Sequence, residues 1–352
     1  MDGGKIRWGI LSTAQIARKN WRAIQLSGNG IVAAVASRTL EGAQRFIAEN
    51  QAVAPFAAAP RACGSYAELL AAPDVDAVYV PLPTGLRKEW LLRAAAAGKH
   101  IVSEKPCATG VADLREMLAA CRRHRVQFMD GVMFMHSARL ARMRAALDDG
   151  TSVGPLRTIT SAFSFRAPED FFRTNIRTDS ALEPLGCLGD LGWYCVRLAL
   201  WAARGQLPRE ATGRILAQLG RADSPAPVPT DFSGQLAFDD GLVANFRCSF
   251  LADLQQSARL TGRLGTLALD DFVLPRERDE IEFTLNDRTV TVAEHGSPHA
   301  TSQETNLFRT FARQIRSGTL NEEWPALALK TQQVVNACWT SARDGGRPTA
   351  VT

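Results

Sequence analysis

From Lys5 to about Met129 the chain alternates short apolar, β-branched runs with stretches of helical periodicity, and few folds accommodate that rhythm. Runs near 6–11, 31–36, 77–80, 100–103 and 126–129 read as strands, and the intervening stretches near 14–26, 40–49, 65–71, 86–97 and 110–124 read as helices. A strand, a crossover helix and a second parallel strand pack back onto one sheet almost only in the right-handed sense. Repeated units of this kind specify an α/β fold with a doubly wound parallel sheet, the Rossmann arrangement that binds ligands beyond its carboxyl edge. A further strand is expected near 55–58, in the sequence PFAA.

Beyond Asp130 the rhythm changes. A strand near 156–166 and a helix near 189–202 precede runs at 231–238, 241–250, 255–263 and 266–270. Asp239-Asp240-Gly241 and Gly262-Arg263-Leu264-Gly265 join these runs as turns, which suits an antiparallel meander. Helices near 303–317 and 326–343 close the chain. The expectation is a dinucleotide-binding domain over 1–130 and an α+β domain over 131–352 with a largely antiparallel, open-faced sheet. At about 100–200 residues per domain, 352 residues accommodate both.

Composition narrows the function classes. With 46% hydrophobic and 22% charged residues the chain is an ordinary globular one. Its net charge of +5 is mild, and no basic run forms a stripe suited to nucleic acid. The seven cysteines are scattered and make no zinc-type spacing with the five histidines, so neither a metal nor a disulfide scaffold is expected. No stretch approaches the roughly 18 apolar residues of a membrane span, and MDGGKIRW leads into a strand without a secretory pattern. A cytoplasmic location is the expectation.

The first strand ends in WGILSTAQIA, where Ser12, Ala14 and Ala17 occupy the spacing of Gly-x-Gly-x-x-Gly. In a dinucleotide turn those glycines allow the tight bend, close approach of the pyrophosphate and close helix packing. Alanine meets the third need, and Ala14 adds one methyl group at the second. Ser12 is harder to accommodate if its φ must be positive, although the hydroxyls of Ser12 and Thr13 offer donors to phosphate. A buried strand entering a helix is the plain alternative. The second strand ends in Ser37, Arg38 and Thr39 rather than a carboxylate, which suits an NADP 2′-phosphate better than an NAD ribose. An arginine simply exposed after a strand reads equally well in isolation.

Farther on, DAVYVPLPTGLRKEWLLRAAAAGKHIVSEKPCA (76–108) runs strand, Pro-rich turn, helix, strand and then Glu104-Lys105-Pro106. A second motif, PLGCLGDLGWYCVRLALW (184–201), carries a glycine-rich helix entry with Asp190 and Tyr194. Together they resemble the Gfo/Idh/MocA oxidoreductases, over nearly the whole chain. The resemblance implies a nicotinamide dinucleotide in the first domain and a sugar-like substrate between the two domains. It also implies a homo-oligomer assembled through the second domain's sheet.

On that resemblance the cofactor contacts fall to Ser12, Thr13, Ala14 and Ile16, to Ser37, Arg38 and Thr39, to Pro81, Leu82, Pro83 and Thr84, and to Glu104, Lys105, Pro106 and Arg177. Relatives often carry histidine three residues after Thr84, where this chain has Arg87. Lys105 corresponds to the lysine that polarises the reacting oxygen. Tyr194 stands where many relatives have histidine and some, in the branch of glucose-fructose oxidoreductase and dimeric dihydrodiol dehydrogenase, have tyrosine. A phenol of ordinary pKa near 10 is protonated at neutral pH and can donate to an alkoxide. Asp190, four residues before Tyr194 on the expected helix, is placed to orient substrate or Lys105. His136 reads as a residue of the domain junction, and the other histidines lack a motif.

The reading is an NADP(H)-dependent oxidoreductase on a sugar, sugar derivative or cyclic diol. One alternative is a ketoreductase on a nucleotide-linked deoxysugar, with Arg139, Arg166, Arg173 and Arg177 as candidates for its diphosphate. Another is a catalytically silent NADP-binding protein, motivated by the weakened glycine turn.

Overall fold

The computed structural model describes residues 4–275 and 280–352. Its elements run β1 (Ile6–Leu11), α1 (Gln15–Ser27), β2 (Gly30–Ala36), α2 (Leu40–Val53), β3 (Arg61–Cys63), α3 (Tyr66–Leu70), β4 (Ala77–Val80), α4 (Thr84–Ala96), β5 (His100–Ser103), α5 (Val111–Arg123) and β6 (Phe128–Asp130). There follow α6 (Arg139–Asp148), β7 (Leu156–Ser164), α7 (Glu169–Thr174), α8 (Trp193–Ala202), β8 (Glu210–Leu219), β9 (Val228–Ala237), β10 (Val243–Ser249), β11 (Gln255–Gly262) and β12 (Thr266–Leu269). The chain ends with β13 (Ile281–Leu285), β14 (Arg288–Val292), α9 (Gln303–Arg316), α10 (Glu323–Arg343) and β15 (Thr349–Ala350). Packing divides it into two compact units, one holding the chain to Cys107 with 112–137 and 295–326, the other holding 108–111, 138–294 and 327–352.

In the first unit six strands run parallel in the order β3-β2-β1-β4-β5-β6. This is the doubly wound order that reverses between β1 and β4. Nearly every side chain of β1, β4 and β5 is buried, as a sheet covered on both faces requires. Gly9 belongs in β1 because a Cβ there would come within 2.5 Å of Leu69 Cδ2 on α3. The strand expected near 55–58 lies instead at Arg61–Cys63. The Gln51 side chain takes both main-chain polar groups of Phe56, accepting from its N–H at 2.7 Å and donating to its carbonyl at 3.1 Å, so that segment has nothing left for a ladder.

The expected division at 130/131 also differs from the packing, which returns 295–326 to the first unit. The reason is the apolar face of α9. Phe308 and Phe311 pack on Trp8 of β1 with ring centroids at 5.1 and 5.5 Å, and Lys19 of α1 pairs with the buried Glu304 at 2.5 Å.

The second unit is built on a nine-stranded sheet in the order β14-β13-β12-β11-β7-β10-β9-β8-β15. Its pairings are antiparallel except that β10 and β7 run parallel, so the sheet is mixed rather than a pure meander. Gly213 of β8 lets α10 lie directly on the sheet, since a Cβ there would sit 2.2 Å from the Cys338 carbonyl oxygen. All seven cysteines are buried and free. No helix among the described residues is long and apolar enough to cross a membrane.

Candidate active site

Because all six strands of the first unit run one way, the turns that follow β1, β2, β4 and β5 emerge at the same carboxyl edge, and they carry most of the expected site residues. Ser12 has φ of +126°, the region glycine ordinarily supplies, at a cost of about 1–3 kcal/mol for a side-chain-bearing residue. Its N–H donates to the Ala36 carbonyl at 3.0 Å, and its hydroxyl oxygen accepts the Ala14 N–H at 3.1 Å. Ser12 therefore shapes the turn with its hydroxyl. Ala14 then begins α1 without a side-chain cap, and no acidic residue stands in the first turn. That leading edge of N–H groups suits a pyrophosphate. Ile16, an apolar side chain 40% exposed, lies on the same turn of helix.

After β2, the Thr39 hydroxyl accepts the Gly42 N–H at 3.1 Å and caps α2. Arg38 is exposed beside it, and Tyr66 at the start of α3 lies within its electrostatic reach. The ring of Tyr66 meets Trp90 edge-on at 4.9 Å.

The turn after β4 is held by the residue that departs from the family pattern. Arg87 is only 4% exposed; its Nε donates to the Leu82 carbonyl at 2.6 Å, and its Nη1 donates to Thr84 Oγ1 at 3.1 Å and to the Pro106 carbonyl. One guanidinium thus joins Pro81–Thr84 to Glu104-Lys105-Pro106. Lys105 is half-buried at the end of β5. Beside it, Glu104 Oε1 accepts the Tyr79 hydroxyl proton at 2.6 Å.

In the second unit three expected residues come together. Arg177 Nε donates to Asp190 Oδ2 at 2.7 Å, and Tyr194 is close enough to act on the same guanidinium. The Asp190 carboxylate and burial act in opposite directions on Arg177, and the carboxylate dominates, raising the guanidinium pKa. Asp190 does not share one regular helix with Tyr194 as expected: Leu188–Gly192 form a π-helical turn, and α8 starts at Trp193. Such turns insert a wider ring into a helix and recur at functional sites. Tyr194 is 6% exposed and packs edge-on to Phe163 at 5.5 Å.

The sequence reading passed over Arg221, which donates to the Asn175 carbonyl at 2.9 Å and to Thr178 Oγ1 at 3.0 Å and so holds the segment bearing Arg177. Arg139 is not available to a diphosphate. It is 1% exposed, with Nη1 bonded to Asp271 at 2.5 Å and to the Glu282 carbonyl at 3.0 Å. Arg166 and Arg173 are exposed. His136 lies in a short 3₁₀ turn with its ring edge-on to Trp324.

A doubly wound unit with this edge is the arrangement that takes a dinucleotide across the carboxyl ends of its strands. Residues 6–132 match the model of the oxidoreductase family with the NAD-binding Rossmann fold, and residues 140–268 match the GFO/IDH/MocA C-terminal domain. The chain belongs to the Gfo/Idh/MocA oxidoreductase family. The dTDP-3,4-didehydro-2,6-dideoxy-alpha-D-glucose 3-reductase of Saccharopolyspora spinosa is 31% identical over 324 residues, 92% of this chain and 91% of the relative. D-xylose 1-dehydrogenase (NADP(+)) 2 of Haloferax volcanii is 29% identical over 344 residues, covering 96% and 98%. The crystal structure of a 3-ketoreductase from Actinomadura kijaniata in complex with NADP and TDP-benzene matches with a TM-score of 0.78 at 25% identity, covering 98% of each chain.

Proposed function

We propose that the protein is an NADP(H)-dependent oxidoreductase that interconverts a carbinol and a carbonyl on a sugar or sugar derivative. The observation that carries this reading is the Glu104-Lys105-Pro106 turn at the carboxyl end of β5, in a chain of this family whose second strand ends in Ser37-Arg38-Thr39 rather than a carboxylate. The first unit holds the cofactor, and the second supplies substrate contacts and the oligomer contact. When bound, the dinucleotide supplies or accepts the hydride.

The chain's own residues then divide the remaining work. The uncapped start of α1 takes the pyrophosphate, and Ser37 and Arg38 take the 2′-phosphate. Lys105 places a positive charge on the reacting oxygen, which favours the alkoxide over water-like surroundings. In reduction Tyr194 gives its phenolic proton to that oxygen, and in oxidation it recovers one. Asp190 fixes Arg177, which stays partly exposed and whose remaining donors orient substrate hydroxyls.

A second reading, a reductase on a nucleotide-linked deoxysugar, is favoured by one surface. Phe165, Phe171 and Phe172 are half-buried, with consecutive ring contacts at 5.7 and 5.6 Å, and the exposed Arg166 and Arg173 lie beside them in sequence. A base stacking on such rings with its diphosphate on arginine is sound chemistry. We place the protein in the cytoplasm, where seven free thiols persist. Its oligomer would form through the polar sheet face that presents Thr160, Asn245 and Arg259, which light scattering after size exclusion tests.

Turnover with NADP+ and NAD+ on pentoses, hexoses and trans-dihydrodiols, and with NADPH on a TDP-keto-deoxysugar, separates the readings. Turnover of free sugars supports the first, and turnover of the TDP compound alone supports the second. Tight NADP binding with no turnover on any of them leaves a silent binder.

A further inference from the structure

A fully buried tyrosine behind the carboxyl edge has no place in the chemistry so far. Tyr79 is the third residue of β4, with its side chain 0% exposed. Asn20, on the second turn of α1, donates from Nδ2 to the Tyr79 hydroxyl oxygen at 2.6 Å. The same hydroxyl donates to Glu104 Oε1 at 2.6 Å. The direction is forced, because an amide nitrogen can only donate and the phenol has a single proton. Once Asn20 occupies its oxygen, Tyr79 must give that proton to Glu104. Burial and the neighbouring Glu104 both raise the Tyr79 pKa well above the phenol range, so it stays a donor.

The strand order gives this contact its meaning. With β1 and β4 at the switch point, a dinucleotide bound across this edge would set its pyrophosphate over the start of α1, its adenosine end towards β2 and its nicotinamide end towards β4 and β5. Glu104 is therefore on the nicotinamide side, opposite Arg38. Resting on the NADP reading above, we propose that Tyr79 is a positioning residue for the nicotinamide ribose. It pins one Glu104 oxygen, and the carboxylate's other oxygen accepts a ribose hydroxyl. Asn20 ties this acceptor to the helix whose start holds the pyrophosphate, so both ends of the nicotinamide mononucleotide half are gripped from one frame.

The test is calorimetric binding, with no turnover needed. NADPH is compared with adenosine 2′,5′-bisphosphate, which keeps the 2′-phosphate and lacks the nicotinamide riboside. Tyr79→Phe is expected to weaken NADPH about tenfold, the order of one hydrogen bond to a charged group, and to leave the bisphosphate within about twofold. In a Glu104→Ala background the same substitution is expected to add no further loss, as a residue acting through Glu104 requires. Unchanged NADPH affinity in Tyr79→Phe overturns the proposal, and so does an equal loss for both ligands, which would mark a purely structural tyrosine. Failure of the NADP reading looks different: the wild-type protein would then bind NADH as tightly as NADPH and ignore the bisphosphate.

Discussion

In the six-stranded sheet every strand points the same way, and all the side chains assigned to the cofactor except Arg177 lie at or just beyond one edge. In the nine-stranded sheet neighbours mostly alternate, so no edge collects the loops, and Asp190 and Tyr194 instead come from a π-turn and the helix after it, packed on a sheet face. The difference shows in burial. Arg38 is exposed and Lys105 half-buried, whereas Tyr194 is 6% exposed and wedged against the Phe163 ring of β7. An edge lets binding groups vary with little effect on the fold; a face binds the reacting group into the core.

The largest expected effect is on the face. Tyr194→Phe keeps the packing and removes the proton, so kcat should fall about 10²–10⁴-fold while NADPH affinity holds. A variant that lost cofactor affinity and kept kcat would break the division of labour between the sheets. Next comes a deliberate exception at the edge. Arg87→Ala strands the buried Leu82 carbonyl, at about 1–3 kcal/mol, leaves the Pro106 carbonyl only the bond from Thr84 Oγ1 at 3.4 Å, and should lower the denaturation midpoint and raise KM for NADPH together. Equal stability of Arg87→Ala and wild type in urea would show that the edge has no fastening of its own.

Arg38→Ala, at an exposed position, is expected to reduce the NADP/NAD preference about 10–100-fold without moving the midpoint. An unchanged ratio would remove the second strand from the specificity argument. The smallest effect belongs to Ser12. Ser12→Gly relieves the positive φ and gives up one hydrogen bond, so its stability should stay within about 1 kcal/mol of wild type. Ser12→Ala keeps the strain and loses the bond, and should be the less stable of the two by thermal denaturation.

The first unit was legible because burial on both faces writes itself into sequence: IRWGIL, AVYV and HIVS are the short, largely apolar runs of covered parallel strands, recurring between helical stretches. The second sheet was legible only where turns announced it. Strand β8 was missed because much of EATGRILAQL is exposed, Leu216 to 50%, so alternation carries no apolar signal. The β13–β14 hairpin did leave a mark, Asn286-Asp287 at φ of 48° and 64°, the dipeptide a tight hairpin turn favours. At the site, the glycine-poor turn and the Glu104-Lys105-Pro106 motif were visible as residues. The π-turn that displaces Asp190 from the helix of Tyr194 was not, since adding one residue to a helical ring leaves composition and periodicity unchanged. Nor was Arg87 readable as a fastening, because an arginine after a turn is exposed in most chains.

The burial of the cysteines has a practical consequence. All seven are enclosed, and burial raises the thiol pKa of Cys63, Cys195, Cys248 and Cys338 and pushes Cys121 up to about 12. Enclosure keeps a maleimide or a spin label from all seven sulfurs, and at those five the raised pKa also lowers the thiolate fraction that would attack it. A single cysteine introduced on each unit's surface will therefore carry the probe in an otherwise wild-type chain, and distance spectroscopy can follow the two units without a cysteine-free background.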